Sequence, residues 1–210
     1  MRLLILVGGG GPCMSVIEAA LRAGFVIKGI LDLPEELGKN VCGVSVLGTD
    51  DEMAKYVDDC DFIVTLGFIK DATLRVKLHD KVRAAGGHFA TIIASTAHVS
   101  QFAEIGEGTV VLHQATVNAG AKIGVGVIIN TCANIEHSAI VGDYAHVSTG
   151  VMVNGDCKVG ARTFVGSHTV MVNGKSICED CVIGAGSVVR KDIKVPGIYN
   201  GNPAILMKKF

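Results

Sequence analysis

From Ile93 onward, every sixth residue of this chain is aliphatic. The run passes through Val99, Ile105 and Val111 to Val189 and Val195, and only Met171 in it is not Ile or Val. Chance cannot supply such a run. The residue four places after each aliphatic one is mostly small, as at Ala97, Ala115, Ala133, Thr163 and Cys181, with Lys175 the clear exception. The residue just after it favours Gly or Asn, which predicts corners with positive φ there. Gly106, Gly124, Gly142 and Gly160 recur at eighteen residues. A period of six inside a period of eighteen describes a three-sided prism of stacked parallel strands, each coil rising by roughly 4.8 Å. Aliphatic residues point inward in columns, and no coil buries its face alone, so the stack is cooperative along its length. The abundance of glycine (27), the absence of tryptophan and an aromatic content of 5% suit such tight stacking.

The first ninety residues read differently. Residues 2–7 form an apolar strand, Gly8 to Gly11 follow, and Met14 to Arg22 carries apolar residues at helical spacing. Strand-like runs recur at Val26–Leu31 and Phe62–Leu66, with helical patterns at Asp51–Val57 and Asp71–Ala85. This alternation predicts a short parallel sheet with crossover helices. The expected organisation is therefore a Rossmann-like α/β unit over 1–90 and a parallel β-helix over 91–210. A glycine loop after the first strand exposes N–H groups to a phosphate, although Gly8 to Gly11 do not spell a clean dinucleotide fingerprint. Asp32, at the end of the second strand, suits either a ribose or the cap of a turn. A dinucleotide dehydrogenase needs a longer sheet than ninety residues provide.

Nineteen Lys and Arg against twenty Asp and Glu offer no basic field for nucleic acid or an anionic membrane. Met1 leads straight into the strand-like run and then the glycines, where a signal peptide would continue its apolar stretch. Seven scattered cysteines suit a reducing compartment, so a cytoplasmic protein is expected. Cys178 and Cys181 give at most half a zinc site, so no metal is expected.

Among the seven histidines, His79 and His88 read as structural or solvated, and His98, His113 and His168 as outward surface residues. His137 also points outward, but it follows Glu136, an acid in a column otherwise rich in Gly and Asn. Histidine is the side chain that can accept a proton near neutral pH. The pair is therefore the candidate acid–base centre.

Several segments carry a family resemblance across essentially the whole chain. They are residues 4–11 (Leu-Ile-Leu-Val and four glycines), 29–32 (Gly-Ile-Leu-Asp), 43–48, 130–137 (Asn-Thr-Cys-Ala-Asn-Ile-Glu-His), 143–148 and 201–204. Together they resemble the bacterial nucleotide-sugar and sialic acid acetyltransferases, and most of all the UDP-4-amino-sugar N-acetyltransferases. The resemblance implies a Rossmann-like domain fused to a left-handed parallel β-helix, a homotrimer, and acetyl-CoA as co-substrate. It implies that His137, with Glu136, is the catalytic base, and that His146, Gly155, Ser167 and Ala185 meet acetyl-CoA. It places the acceptor nucleotide sugar on Gly9, Gly10, Gly11, Asp32, Gly67 and Asn130. Three departures stand out: Ser138 where an acid often follows the base, Pro12-Cys13 where the glycine loop often continues with His, and Leu33 after Asp32. O-acetylation of a free sugar such as sialic acid, and a non-catalytic trimeric scaffold, stay open at this point.

Overall fold

A computed structural model of the chain describes Arg2–Phe210. Its first part is a six-stranded sheet in the order β3-β4-β2-β1-β5-β6, built from Leu3–Val7 (β1), Ile27–Asp32 (β2), Asn40–Val41 (β3), Val44–Thr49 (β4), Cys60–Val64 (β5) and His88–Phe89 (β6). All neighbours are parallel except β3 and β4, which form a hairpin. Helix α1 (Gly11–Arg22) buries Val16, Ile17 and Ala20, and helix α2 (Thr73–Ala84) follows β5. The sequence reading differs in two places. Residues 50–55 make a tight 3₁₀ turn, closed by a capping box of Thr49 and Glu52, where a helix was expected. The hairpin of β3 and β4 was not expected, because a two-residue strand and a six-residue one interrupted by glycine carry too little periodicity to stand out.

Seventeen two-residue strands follow, from β7 (Ile92–Ile93) to β23 (Val188–Val189), and they stack as three parallel sheets around a prism. Register is uninterrupted at eighteen residues, as in Val110↔Ile128, Ile128↔His146 and His146↔Phe164. Inside lie the aliphatic column and the small column, from Val111 and Ala115 to Ile183 and Val189. Strands β24 (Gly197–Asn200) and β25 (Ile205–Lys209) close the far end as a hairpin.

The corners obey a rule other than the expected one. From Ile105 to Ile183, left-handed φ falls three residues after each aliphatic residue, at Gln114, Cys132, Ser138, Tyr144 and Asp156 among others, and not one residue after. The glycines next to the aliphatic column serve close approach. A Cβ on Gly142 would lie 2.6 Å from the Ala161 nitrogen, and one on Gly166 2.6 Å from that of Ala185. No side chain fits between coils there.

The three faces differ in what they present outward. The docked face shows Val110, Ile128, His146, Phe164 and Val182. The mixed face shows His98, Thr116, Asn134, Met152 and Val170, and the charged face Glu104, Lys122, Ile140 and Lys158. Only the docked face meets the α/β unit. Cys13, Val16 and Ile17 of α1 share one apolar cluster with Ile92, Val110 and Leu112. Each such buried aliphatic side chain contributes about 1.5–3 kcal/mol, enough to hold the two halves as one body. Among the described residues no helix is long and apolar enough to cross a membrane.

Candidate active site

Where α1 starts, its N-terminus points into a cavity of about 280 Å³ between the sheet and the docked face. Gly11, Pro12, Ser15, Thr65 and Gly67 line it from the sheet side, and Ile128, Asn130 and His146 from the prism. The helix has no side-chain cap and no acid in its first turn. Pro12 carries no N–H and Cys13 donates to the Gly10 carbonyl, so the N–H groups of Gly10 and Gly11, with the helix dipole, are what it offers an anion. Asp32 takes the turn-capping role: its carboxylate accepts the N–H of Gly9 at 2.5 Å and of Leu33 at 2.8 Å. It thereby fixes the start of the glycine loop.

The prism side of the cavity is polar where it matters. His146 donates from Nδ1 to the carbonyl of Phe68 at 2.9 Å, and its Nε2 lies 3.4 Å from the amide nitrogen of Asn130. Phe68 and Phe164 meet the ring edge-on. Burial pushes His146 down to about 4, against the pull of the Phe68 hydrogen bond, so the ring is neutral at neutral pH.

His137 stands elsewhere. It is exposed, on the edge between the mixed and charged faces, next to Ser138 with φ 61°. Gly155 lies one coil above, and a Cβ there would come within 2.6 Å of His137 Nε2, so only glycine leaves the ring its place. Glu136 addresses the corner and not the ring. Oε2 accepts the backbone N–H of His137 at 3.3 Å, and Oε1 accepts Asn134 Nδ2 at 3.0 Å. The Asn134 bond is the main reason its carboxyl lies below the usual range.

These placements regroup the expected residues. Gly11, Gly67 and Asn130 line one cavity with His146, while Gly9, Gly10 and Asp32 hold the loop beside it. His146, which the resemblance put with acetyl-CoA, therefore keeps company with the acceptor set. Within one chain His137 and His146 lie apart, because the edge carrying His137 is the one opposite the docked face. Gly155 shares the His137 edge, whereas Ser167 and Ala185 stack on the next edge, across the mixed face. Ser167 is braced there by Ser148 at 2.9 Å. Arg75 and Phe68 belong to the cavity's support and were not singled out by sequence. A buried arginine in a helix carries no local signal. Among the described residues no three His, Cys, Asp or Glu side chains gather as metal ligands.

Such a site, on a left-handed parallel β-helix joined to a short nucleotide-binding sheet, defines a class: acyl transfer from a thioester donor. Residues 3–82 match the family described as PglD N-terminal domain. PerB from Caulobacter crescentus, solved with CoA and GDP-perosamine, is 30% identical, covering 98% of this chain and 97% of its own, with a TM-score of 0.91. The acetyltransferase domain of PglB from Neisseria gonorrhoeae, solved with acetyl coenzyme A, is 28% identical over 98% of this chain and 99% of its own, TM-score 0.91. WeeI from Acinetobacter baumannii, at 20% identity over 99% of this chain and 100% of its own, shares the fold with a TM-score of 0.88. A comparison with curated proteins finds no match. The chain belongs to the hexapeptide-repeat nucleotide-sugar acetyltransferases and is an acetyl-CoA-dependent sugar acetyltransferase.

Proposed function

We propose that this chain transfers the acetyl group of acetyl-CoA to the amine of a nucleotide-linked amino sugar, of the UDP-4-amino type. The observation that carries the reading is the cavity itself: an uncapped helix N-terminus for a diphosphate on one wall, and Asn130 and His146 for a sugar on the other. Relatives of the same fold hold CoA with GDP-perosamine, or acetyl coenzyme A.

In this mechanism His137 takes a proton from the sugar ammonium, and the free amine attacks the thioester carbon. The C–N bond forms, the oxygen becomes anionic and is met by N–H donors, and the C–S bond then breaks. The nitrogen, cationic after the attack, gives up its second proton in becoming the amide, and CoA, leaving as thiolate, takes up a proton in exchange. Glu136 fixes the corner that presents His137. Gly155, Ser167 and Ala185 border the CoA groove on two edges of the prism. Arg190 and Lys191, beside a hollow lined by Pro203, Ala204 and Ile205, supply positive charge for its phosphates.

Because the cavity and His137 lie on opposite sides of one prism, the base of one copy serves the cavity of its neighbour. A homotrimer closes that arrangement with three equivalent sites. The test is thiol release from acetyl-CoA with UDP- and GDP-linked amino sugars and free sialic acid, alongside sedimentation equilibrium. Turnover of a nucleotide-linked amine by a trimer of 21.8 kDa chains supports the reading. Acetylation of sialic acid alone, turnover by a monomer, or no thiol release at all overturns it.

A further inference from the structure

Arg75 on α2 is 1% exposed, and among the described residues no carboxylate pairs with it. A buried cation without an anion is costly unless every N–H finds an acceptor. Here four of the five N–H groups donate to carbonyls: Nη1 to Val64 at 2.8 Å and Leu66 at 2.6 Å, Nε and Nη2 to Gly126 at 3.1 and 2.9 Å. Burial pulls the guanidinium down to about 9, so it is still a cation at neutral pH. One side chain thus ties the end of β5, the loop after it and a corner of the prism.

The same stripe of α2 extends the tie at helical spacing. His79, four residues on, donates from Nδ1 to the Arg75 carbonyl and stacks on Phe89. Arg83, eight on, donates to the Tyr144 hydroxyl at 2.8 Å and to Glu107 at 3.0 Å. Gly126, with φ 62°, lets the corner come in this close: a Cβ there would lie 2.7 Å from the Tyr144 ring.

What this fixes is the segment from Leu66 to Phe68. Its middle residue, Gly67, faces Pro12 and His146 across the cavity. Its last carbonyl, on Phe68, meets Nδ1 of His146. A carbonyl only accepts, so the proton of the neutral imidazole is on Nδ1 and Nε2 keeps a lone pair.

We propose that Arg75 is a positioning residue for the acceptor. By holding the Leu66 carbonyl it sets the Phe68 carbonyl against His146 and fixes the ring with its proton on Nδ1. Nε2 is left as a hydrogen-bond acceptor at the cavity wall, where the Asn130 amide approaches it only at 3.4 Å and gives way to a ligand's donor. The group recognised there is a donor, a sugar hydroxyl or amine, since this nitrogen offers no hydrogen to a thioester oxygen. The inference rests on the acceptor reading of the cavity.

The test has two arms. Long-range ¹H–¹⁵N correlation on the intact, unliganded chain, with His146 assigned from a His146→Gln variant, reads the tautomer directly. A proton on Nδ1 is expected, and a proton on Nε2 overturns the proposal whether or not any acceptor is acetylated. The second arm is kinetic. In Arg75→Met, KM for the nucleotide sugar should rise by about tenfold while KM for acetyl-CoA stays within about twofold. Arg75→Lys, which keeps the cation and reaches one pair of carbonyls, should recover part of that loss. Equal rises in both KM values overturn the proposal, as does no change in either. Should Arg75→Met fail to fold, Arg75→Lys and the wild-type tautomer decide. Absence of turnover with every nucleotide sugar strikes the functional reading alone, because the tautomer belongs to the unliganded chain.

Discussion

Along one coil of the prism, His137 stands on an edge open to solvent, with a glycine above it and a carboxylate holding its backbone. Nine residues later, His146 lies between two aromatic rings and a carbonyl, in a seam closed by a second domain. The repeat builds both positions from the same six-residue unit. Their difference arises from what is brought against each face. An exposed edge leaves a ring free to meet a substrate and exchange protons. A seam freezes a ring in one tautomer and makes it a recognition element. In the proposed function the chemistry is divided between these two sides of the prism, and a second copy would bring them together.

The largest effect that would break this division is on the exposed edge. His137→Ala should lower kcat by about 10²–10⁴ fold, the usual worth of a positioned base. Acetyl-CoA binding and the melting temperature should be kept, because the side chain adds nothing to the core. Near-normal turnover would move the base elsewhere, and His113 is the next candidate. Its Nδ1 is engaged with Thr96 at 2.8 Å, while Nε2 has no partner.

A second experiment asks whether the two regions meet only between copies. His137→Ala and His146→Ala chains are each expected to be poorly active alone. Co-refolded at equal amounts, they form mixed trimers in which about one quarter of the sites combine an intact base with an intact cavity from its neighbour. Activity should recover towards that fraction. If mixing restores nothing, both histidines act within one copy.

The seam should also reveal itself through acid. Unfolded, His79 and His146 take up protons near 6.5. Folded, burial holds His79 down to about 3 and His146 to about 4. Between these values the unfolded state binds more protons, so stability is fully present above about 6.5 and falls as the pH is lowered towards 4. Each pH unit in that window costs up to about 1.4 kcal/mol per ring. Denaturant titrations at a series of pH values should show this slope, and His79→Gln should flatten it. A slope that His79→Gln leaves unchanged would mean that His79 does not titrate this way.

The prism was legible because its signal is periodic. Aliphatic residues at a strict interval of six cannot be placed any other way, and the α/β unit announced itself through apolar runs and glycines. The corner rule was misread, since glycines beside the aliphatic column are there for contact between coils and not for φ. That distinction needs the neighbouring coil, eighteen residues away. The regrouping of His146 had no local signal either. Its environment is set by Phe68, 78 residues distant, and by Arg75, whose acceptors are backbone carbonyls that no side-chain pattern records. Glu136 was noticed as an anomaly, but only geometry shows that it holds the backbone of His137.

The smallest effect concerns the charged face, which borders the His137 edge from the other side. Glu104 and Lys122 pair there at 3.0 Å with both side chains more than half exposed, and Lys158 follows one coil beyond Ile140. Exposed pairs of this kind contribute about 0–1 kcal/mol. Yet two lysines beside a groove for a phosphate-rich donor are an obvious attraction, so their irrelevance is a real test. Gly155, Ser167 and Ala185 flank the mixed face, and the route from their edges to Arg190 and Lys191 does not cross the charged one. Lys122→Ala and Lys158→Ala should therefore change KM for acetyl-CoA by less than about twofold, since neither removes a contact to the bound donor. A rise of about fivefold or more in either would put the CoA phosphates on the charged face. The edge of His137 would then be approached from the side that Glu136 does not touch, and the division between edge and seam would have to be redrawn around it.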